Sequence, residues 1–261
     1  RIQMCGIMNW QTEWQKPGCV RAAGSPRRDR WNKWKSMTRV EDGEVRINKY
    51  LAHAGICSRR EADRLIEQGR VLVNGQRPDP GRTVSDRDEI TVNGKQVQGQ
   101  RKTVVLAFYK PVGVTCTEKD AHAEKMIKDL VHYPIRVTYA GRLDKDSEGL
   151  LLLTNDGDLI QGMMRGANCH EKEYIVRVDK EITPDFISGM ASGVYLKELK
   201  IKTRECRLEQ TGTYTFKIIL TQGVNRQIRR MCVAFGRQVK SIKRVRIMNI
   251  TLGNLKPGEY V

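Results

Sequence analysis

Asp144 lies in the string Gly141-Arg-Leu-Asp-Lys-Asp-Ser147, between Arg142 and Lys145. A carboxylate beside fixed positive charge stays ionised, which suits a nucleophile or an electrostatic stabiliser better than a general acid. A solvated surface turn would have the same composition, so the charges alone decide nothing. Glycoside hydrolysis needs two carboxylates at a defined separation, and Asp144 with Asp146 is not a persuasive pair. Metal-assisted chemistry is no better served. The neighbours Cys169 and His170 lack partners at metal-ligand spacing, and no metal is expected. A second group of charged residues, Arg226, Arg229 and Arg230, gathers at the start of a helical stripe formed by Ile228, Met231, Cys232 and Phe235. Cations at the positive end of a helix are slightly unfavourable, so an anionic partner is expected to compensate them.

These groups need elements to hold them. Leu150 to Leu153 is an uninterrupted apolar run of strand length, which predicts a buried strand directly after the Asp144 loop. Val104 to Phe108 predicts another, running into Lys110-Pro-Val-Gly113. From Lys172 a strand is expected with Tyr174, Val176 and Val178 on one face. Thr183-Pro184 reads as a helix N-cap with proline at the first position, and Gly193 follows that helix. Thr203–Leu208 and Thr213–Thr221 alternate as an antiparallel pair, and Val239–Ile250 supplies the last strands. Nearer the N-terminus, Ile47, Tyr50, Leu51 and Ala54 fall on one helical face. Ser58-Arg-Arg-Glu61 is a capping box opening a second helix. Strands around Arg70–Val73 and Glu89–Val92 run into Asn74-Gly75 and Asn93-Gly94 turns. Arg59, Arg60 and Arg64 surround the start of the second helix, where guanidiniums and free backbone amides together suit a phosphate.

The whole chain supports such a partner. Its 261 residues carry a formal net charge of +17, which suits a polyanion and argues against an enzyme of small neutral metabolites. No apolar run approaches the ~18 residues of a transmembrane helix, so no membrane partner is expected. Seven cysteines without a C-x-x-C pair point to reduced thiols and a cytoplasmic location. Residues 1–44 hold all four tryptophans among Arg, Lys, Gly and Pro without any period. Basic-aromatic interleaving can serve single strands by stacking. The plainer expectation is a disordered or non-native extension, with Met37 as a start. Residues 99–103 read as a polar linker.

Gly-Arg-Leu-Asp, then Ser, Gly-Leu-Leu and Thr-Asn-x-Gly-x-Leu, in this order resemble the active-site motif of RsuA-type RNA pseudouridine synthases. Lys172-Glu-Tyr174 resembles that family's second motif. Asn225-Arg-Gln-Ile-Arg-Arg-Met231 resembles the third, with Arg226 in place of the usual histidine. Tyr109 stands where the family usually has asparagine before Lys-Pro-x-Gly. Residues 45–98 resemble the alpha-L RNA-binding module of a ribosomal protein. The implied fold is α+β: that module, with two helices and a small sheet, then a catalytic domain over 104–261. The catalytic domain would be built on a mixed, largely antiparallel sheet with flanking helices. The chain stops earlier than family members usually do, so a terminal helix is expected to be missing.

The resemblance implies isomerisation of uridine to pseudouridine in RNA with no cofactor. Asp144 would act at C1′ as nucleophile or at C2′ as base, with Arg229 as its paired cation. Tyr174 would stack on the flipped base, while Arg142 holds the nucleotide or fills the vacated space. Arg59, Arg60, Arg64, Lys110, Arg226 and Arg230 would bind RNA. Large-subunit ribosomal RNA is the expected substrate, with transfer RNA as the alternative, and the protein is expected to be a monomer. The rival from another class is a non-catalytic RNA-binding or ribosome-assembly protein. Against it, a pure binder has no use for a carboxylate among arginines, where it repels phosphate.

Overall fold

The structure, a computed structural model, describes residues 44–97, 103–117, 124–164 and 169–261. The readings of 1–44 as an extension and 99–103 as a linker fall outside these residues, apart from Glu44 and Thr103.

The N-terminal part is a small α+β layer. Strand β1 (Val45–Arg46) leads into helix α1 (Ile47–His53), and helix α2 (Arg59–Glu67) follows. The Ser58 side chain caps α2, accepting from the Glu61 amide at 3.2 Å. Ile47, Leu51, Ala62, Leu65 and Ile66 bury one face of each helix against β2 (Val71–Val73), β3 (Thr83–Val84) and β4 (Ile90–Val92). The Asn93-Gly94 turn joins β4 to β5 (Lys95–Gln96), with φ of 53° and 74° as a tight hairpin requires. The Asn74-Gly75 turn instead closes only a Val73–Gln76 bridge. The ladder partner of β2 is β4, so that turn ends a strand without forming a full hairpin.

The rest of the described chain builds an eight-stranded mixed sheet. Its strands are β6 (Val105–Lys110), β7 (Thr138–Ala140), β8 (Glu148–Thr154), β9 (Lys172–Val178), β12 (Arg207–Gly212), β13 (Thr215–Leu220), β14 (Val239–Ile247) and β15 (Ile250–Thr251). Their main order is β12-β13-β9-β14-β8-β6. The two-stranded ribbon β10 (Tyr195–Leu196) and β11 (Ile201–Lys202) stands apart from this sheet. All pairs are antiparallel except β14 with β8. The sequence pattern places the first strand of the β12–β13 pair at Thr203–Leu208. The ladder runs further along the chain, because Arg207 to Gly212 pair with Ile219 to Thr215.

Strand β8 is central. Leu151 and Leu153 face one core with Leu106 and Phe108, while Leu150 and Leu152 face another with Tyr109 and Ala140. Both faces are covered, so the strand is apolar throughout instead of alternating. One edge of β8 is divided: β7 pairs with its end and β14 with its start. Helix α3 (Gly157–Met164) follows β8. Helices α4 (Pro184–Ala191) and α5 (Gln227–Ala234) share a third core with β9, β13 and β14 through Phe186, Met190, Ile228 and Met231. Residues Gly258 to Val261 add hydrogen bonds to Ala107 and Tyr109, along the outer side of β6.

Candidate active site

Asp144 sits between β7 and β8, at the point where that edge of β8 passes from β7 to β14. The loop is held from below. Lys110 Nζ donates to the carbonyls of Pro111 and Ser147, each at 2.8 Å, and Gly113 N donates to Lys145 O at 2.8 Å. Leu143 is buried and its amide donates to Cys116 Sγ at 3.4 Å. Ser147 N returns to Asp144 O at 3.1 Å, closing the turn. The Asp144 side chain itself remains 34% exposed. It borders a cavity of about 700 Å³ lined also by Arg142, Tyr174, Arg226, Arg229 and Arg244.

Two expectations need correction. The resemblance puts Lys110 on the RNA, but it is fully buried. Its ammonium is consumed by two carbonyls, and burial lowers its pKa below that of an ordinary lysine. It braces the Asp144 loop and presents no surface to a phosphate. The resemblance also pairs Arg229 with Asp144. Instead its Nη2 contacts Asp146, 3.1 Å from Oδ2 and 2.9 Å from the backbone oxygen, and lies 3.5 Å from Ser147 Oγ. Arg226 is the cation near Asp144, 3.9 Å from Oδ2, and it also grips Asp146 at 3.1 Å. The reason is geometric. Arg226 precedes α5 in a left-handed conformation, φ 51°, which separates its direction from that of Arg229 on the first turn. Asp146 therefore holds both guanidiniums beside the Asp144 carboxylate.

The other sites divide clearly. Tyr174 and Arg142 border the cavity with Asp144. Arg230 is engaged elsewhere, in an ion pair with Glu198 and a 3.1 Å bond to Asn225 O. Arg59 and Arg60 are exposed at the start of α2, and Arg64 pairs with Glu61 at 3.2 Å. These three lie on the N-terminal layer and do not line the cavity. Where the family usually has asparagine, Tyr109 is buried and its hydroxyl donates to Glu148 at 2.9 Å, tying β6 to the start of β8.

Sequence reasoning missed Arg244 and Lys172. Both border the cavity, and burial lowers the Lys172 pKa, with Arg244 adding to the effect. Arg244 had a legible signal. It occupies an inward position of β14 between the buried Ile242 and Ile247, where a cation is out of place unless it has work to do.

Sequence comparison agrees with this architecture. Residues 104–234 match the RNA pseudouridylate synthase family, and residues 45–90 match the S4 domain. The chain is 47% identical over 223 residues to the dual-specificity RNA pseudouridine synthase RluF of Escherichia coli (strain K12), covering 85% of this chain and 76% of that protein. The chain belongs to the RNA pseudouridine synthases. It is 35% identical over 221 residues to the ribosomal large subunit pseudouridine synthase B of Bacillus subtilis (strain 168), covering 82% of this chain and 90% of that one. A crystal structure of a pseudouridylate synthase superposes with a TM-score of 0.62 at 27% identity, over 83% of this chain and 95% of that one. As a pseudouridine synthase the protein is an RNA-binding isomerase that converts uridine to pseudouridine. The motif resemblance and the α+β expectation are both borne out. No helix among the described residues is long and apolar enough to cross a membrane.

Proposed function

We propose that the chain modifies a uridine of large-subunit ribosomal RNA, with Asp144 as the group that begins the reaction. The observation that carries this is the position of Asp144: a partly exposed carboxylate, with Arg226 at 3.9 Å, in the same cavity as Tyr174. Uridine must leave its stack to reach such a cavity, and stacking on Tyr174 would offset part of that cost of a few kcal/mol. Arg142, at the rim, would hold the displaced nucleotide. Asp144, with Arg226 beside it, would attack C1′ or take the C2′ proton. The name of the relative from Bacillus subtilis supports ribosomal RNA of the large subunit. The dual specificity in the name of the Escherichia coli relative supports a second RNA class, for which transfer RNA is the candidate. Arg59 and Arg60 would contribute phosphate contacts from the S4 layer. The protein would act as a monomer in the cytoplasm, where the free thiols at Cys57, Cys116, Cys169, Cys206 and Cys232 stay reduced.

The test is tritium release from 5-tritiated uridine in RNA taken from cells lacking the gene. The parent protein should release tritium from the large-subunit fraction, and Asp144→Asn should bind that RNA normally yet release none. Release by the variant at more than a few per cent of the parental rate would remove Asp144 from the chemistry. Release confined to the transfer-RNA fraction would overturn the ribosomal substrate.

A further inference from the structure

Arg244 lies against the cavity that holds Asp144 and Tyr174, and it is only 2% exposed. Its position is tightly fixed. On β14 it stands opposite Tyr174 of β9 and opposite Gly149 of β8. A register shift follows it, between Arg244 and Arg246. Gly149, at φ +109°, lets the Arg244 backbone approach so closely that a Cβ would meet its oxygen at 2.2 Å.

The side chain is poorly satisfied. Nε donates to Leu150 O at 2.7 Å, and among the described residues that is its only hydrogen bond. Nη2 is buried with no partner. The surroundings add cations. Lys110 and Lys172 border it closely enough that its charge depresses both their pKa values, after burial. A buried guanidinium with free donors and cationic neighbours is costly unless an acceptor arrives. Arginine does not escape by losing its proton.

We propose that Arg244 is a further substrate-binding residue, whose guanidinium donates to a carbonyl oxygen of the uracil held against Tyr174. The proposal rests on the reading that this cavity receives the target base. Depth favours the base over the backbone: Arg244 is buried, whereas Arg142 and Arg226 stand nearer the surface, where phosphates pass. The contact also fits the chemistry. When N1–C1′ breaks, the bonding pair leaves with uracil, and the charge spreads from N1 to the carbonyl oxygens. The base turns, C5 bonds to C1′, the C5 proton leaves and N1 takes one up. Arg244 keeps its protons throughout and holds the detached anion against escape.

The experiment uses the full chain and single-turnover tritium release from the same 5-tritiated RNA. Arg244→Lys keeps the charge but cannot reach Leu150 O and the base together. It should lower the rate at saturating RNA by about 30-fold or more. RNA affinity should stay within about threefold, with an unchanged slope of log K against log salt. A slope shallower by about 0.7–0.9, with the rate restored at saturating RNA, would make Arg244 a phosphate contact and overturn the proposal. A parental rate would overturn it as well.

Should Arg244→Lys unfold, Arg244→Ala is tested with guanidinium chloride against sodium chloride, both at millimolar concentrations and with thermal melts in parallel. Rescue of the rate by guanidinium without a change in Tm supports the contact. Absence of rescue, or rescue only together with Tm, overturns it. Asp144→Asn in the same assay reports on the underlying reading separately: an active Asp144→Asn dismisses the cavity itself, whatever Arg244 does.

Discussion

At the scale of single residues, three arginines within five positions do three different jobs. Arg226 faces Asp144 and Asp146, Arg229 holds Asp146 by side chain and backbone, and Arg230 is spent on Glu198. The division predicts different kinetics. Arg226→Gln should lower the rate at saturating RNA by about 10²-fold with little change in melting temperature, because it removes charge beside Asp144, the carboxylate proposed to react. Arg229→Gln should cost roughly 1–3 kcal/mol of stability as well as activity, since its guanidinium is mostly buried and bridges α5 to the loop. Chemical denaturation with single-turnover rates separates the two. Equal stability losses in both variants would show that the arginines act as one unit. The motif alone could not assign these jobs. It puts the three cations on one helix start, but which of them reaches Asp144 depends on a left-handed φ at Arg226.

At the scale of elements, the site depends on how β8 meets its neighbours. Gly149→Ala would put a Cβ into the Arg244 backbone at a φ that side chains rarely adopt. It should cost about 3 kcal/mol or more, read from the urea midpoint, and should reduce activity further by displacing Arg244. A melting temperature within a degree of the parent would show that the β8–β14 junction yields easily. Helix α5 makes a second prediction. Burial pushes the Cys232 thiol up to about 12 and Cys206 up to about 11, from an ordinary 9.0. A raised folded pKa contributes stability that is complete below pH 9 and is lost as pH climbs through the folded value. Stability should therefore fall between about pH 9 and pH 12, and Cys232→Ser should flatten that fall. A Cys232→Ser curve parallel to the parent's would place the loss elsewhere.

The elements themselves were largely legible, because their signals are local. The Ser58 and Thr183 caps, the four leucines of β8 and the stripe of α5 all lie within a few residues of the structure they specify. The burial of Lys110 was not legible. A lysine before Pro-x-Gly looks like a surface turn until Ser147, far along the chain, supplies its acceptor. The offset of β12 escaped for a similar reason, since alternation gives the face of a strand but not where its pairing begins.

At the scale of the molecule, the S4 layer and the catalytic sheet touch through an ion pair between Lys49 of α1 and Asp158 of α3, at 2.8 Å. Both side chains are about a third exposed, so the pair contributes little to stability. RNA affinity and chemistry should then be separable. Replacing Arg59 and Arg60 together with glutamine should make the salt dependence of RNA binding shallower, while the rate at saturating RNA stays parental. The expected change in slope is about 0.7–0.9 for each phosphate that either guanidinium neutralises. An unchanged slope would take α2 off the RNA.

The parallel pairing of β8 with β14 also decides when the enzyme becomes an enzyme. Asp144 precedes one of these strands and Arg244 lies on the other, and they meet only after β9, β12, β13 and α5 have found their places between them in the chain. Closing so long a loop is a late event in folding, because its entropy must be spent before the contacts repay it. The S4 layer has its own core and mostly short-range pairings, so it can form earlier. Such an order of assembly would give the nascent protein its RNA-binding layer before the cavity that holds Asp144 is complete.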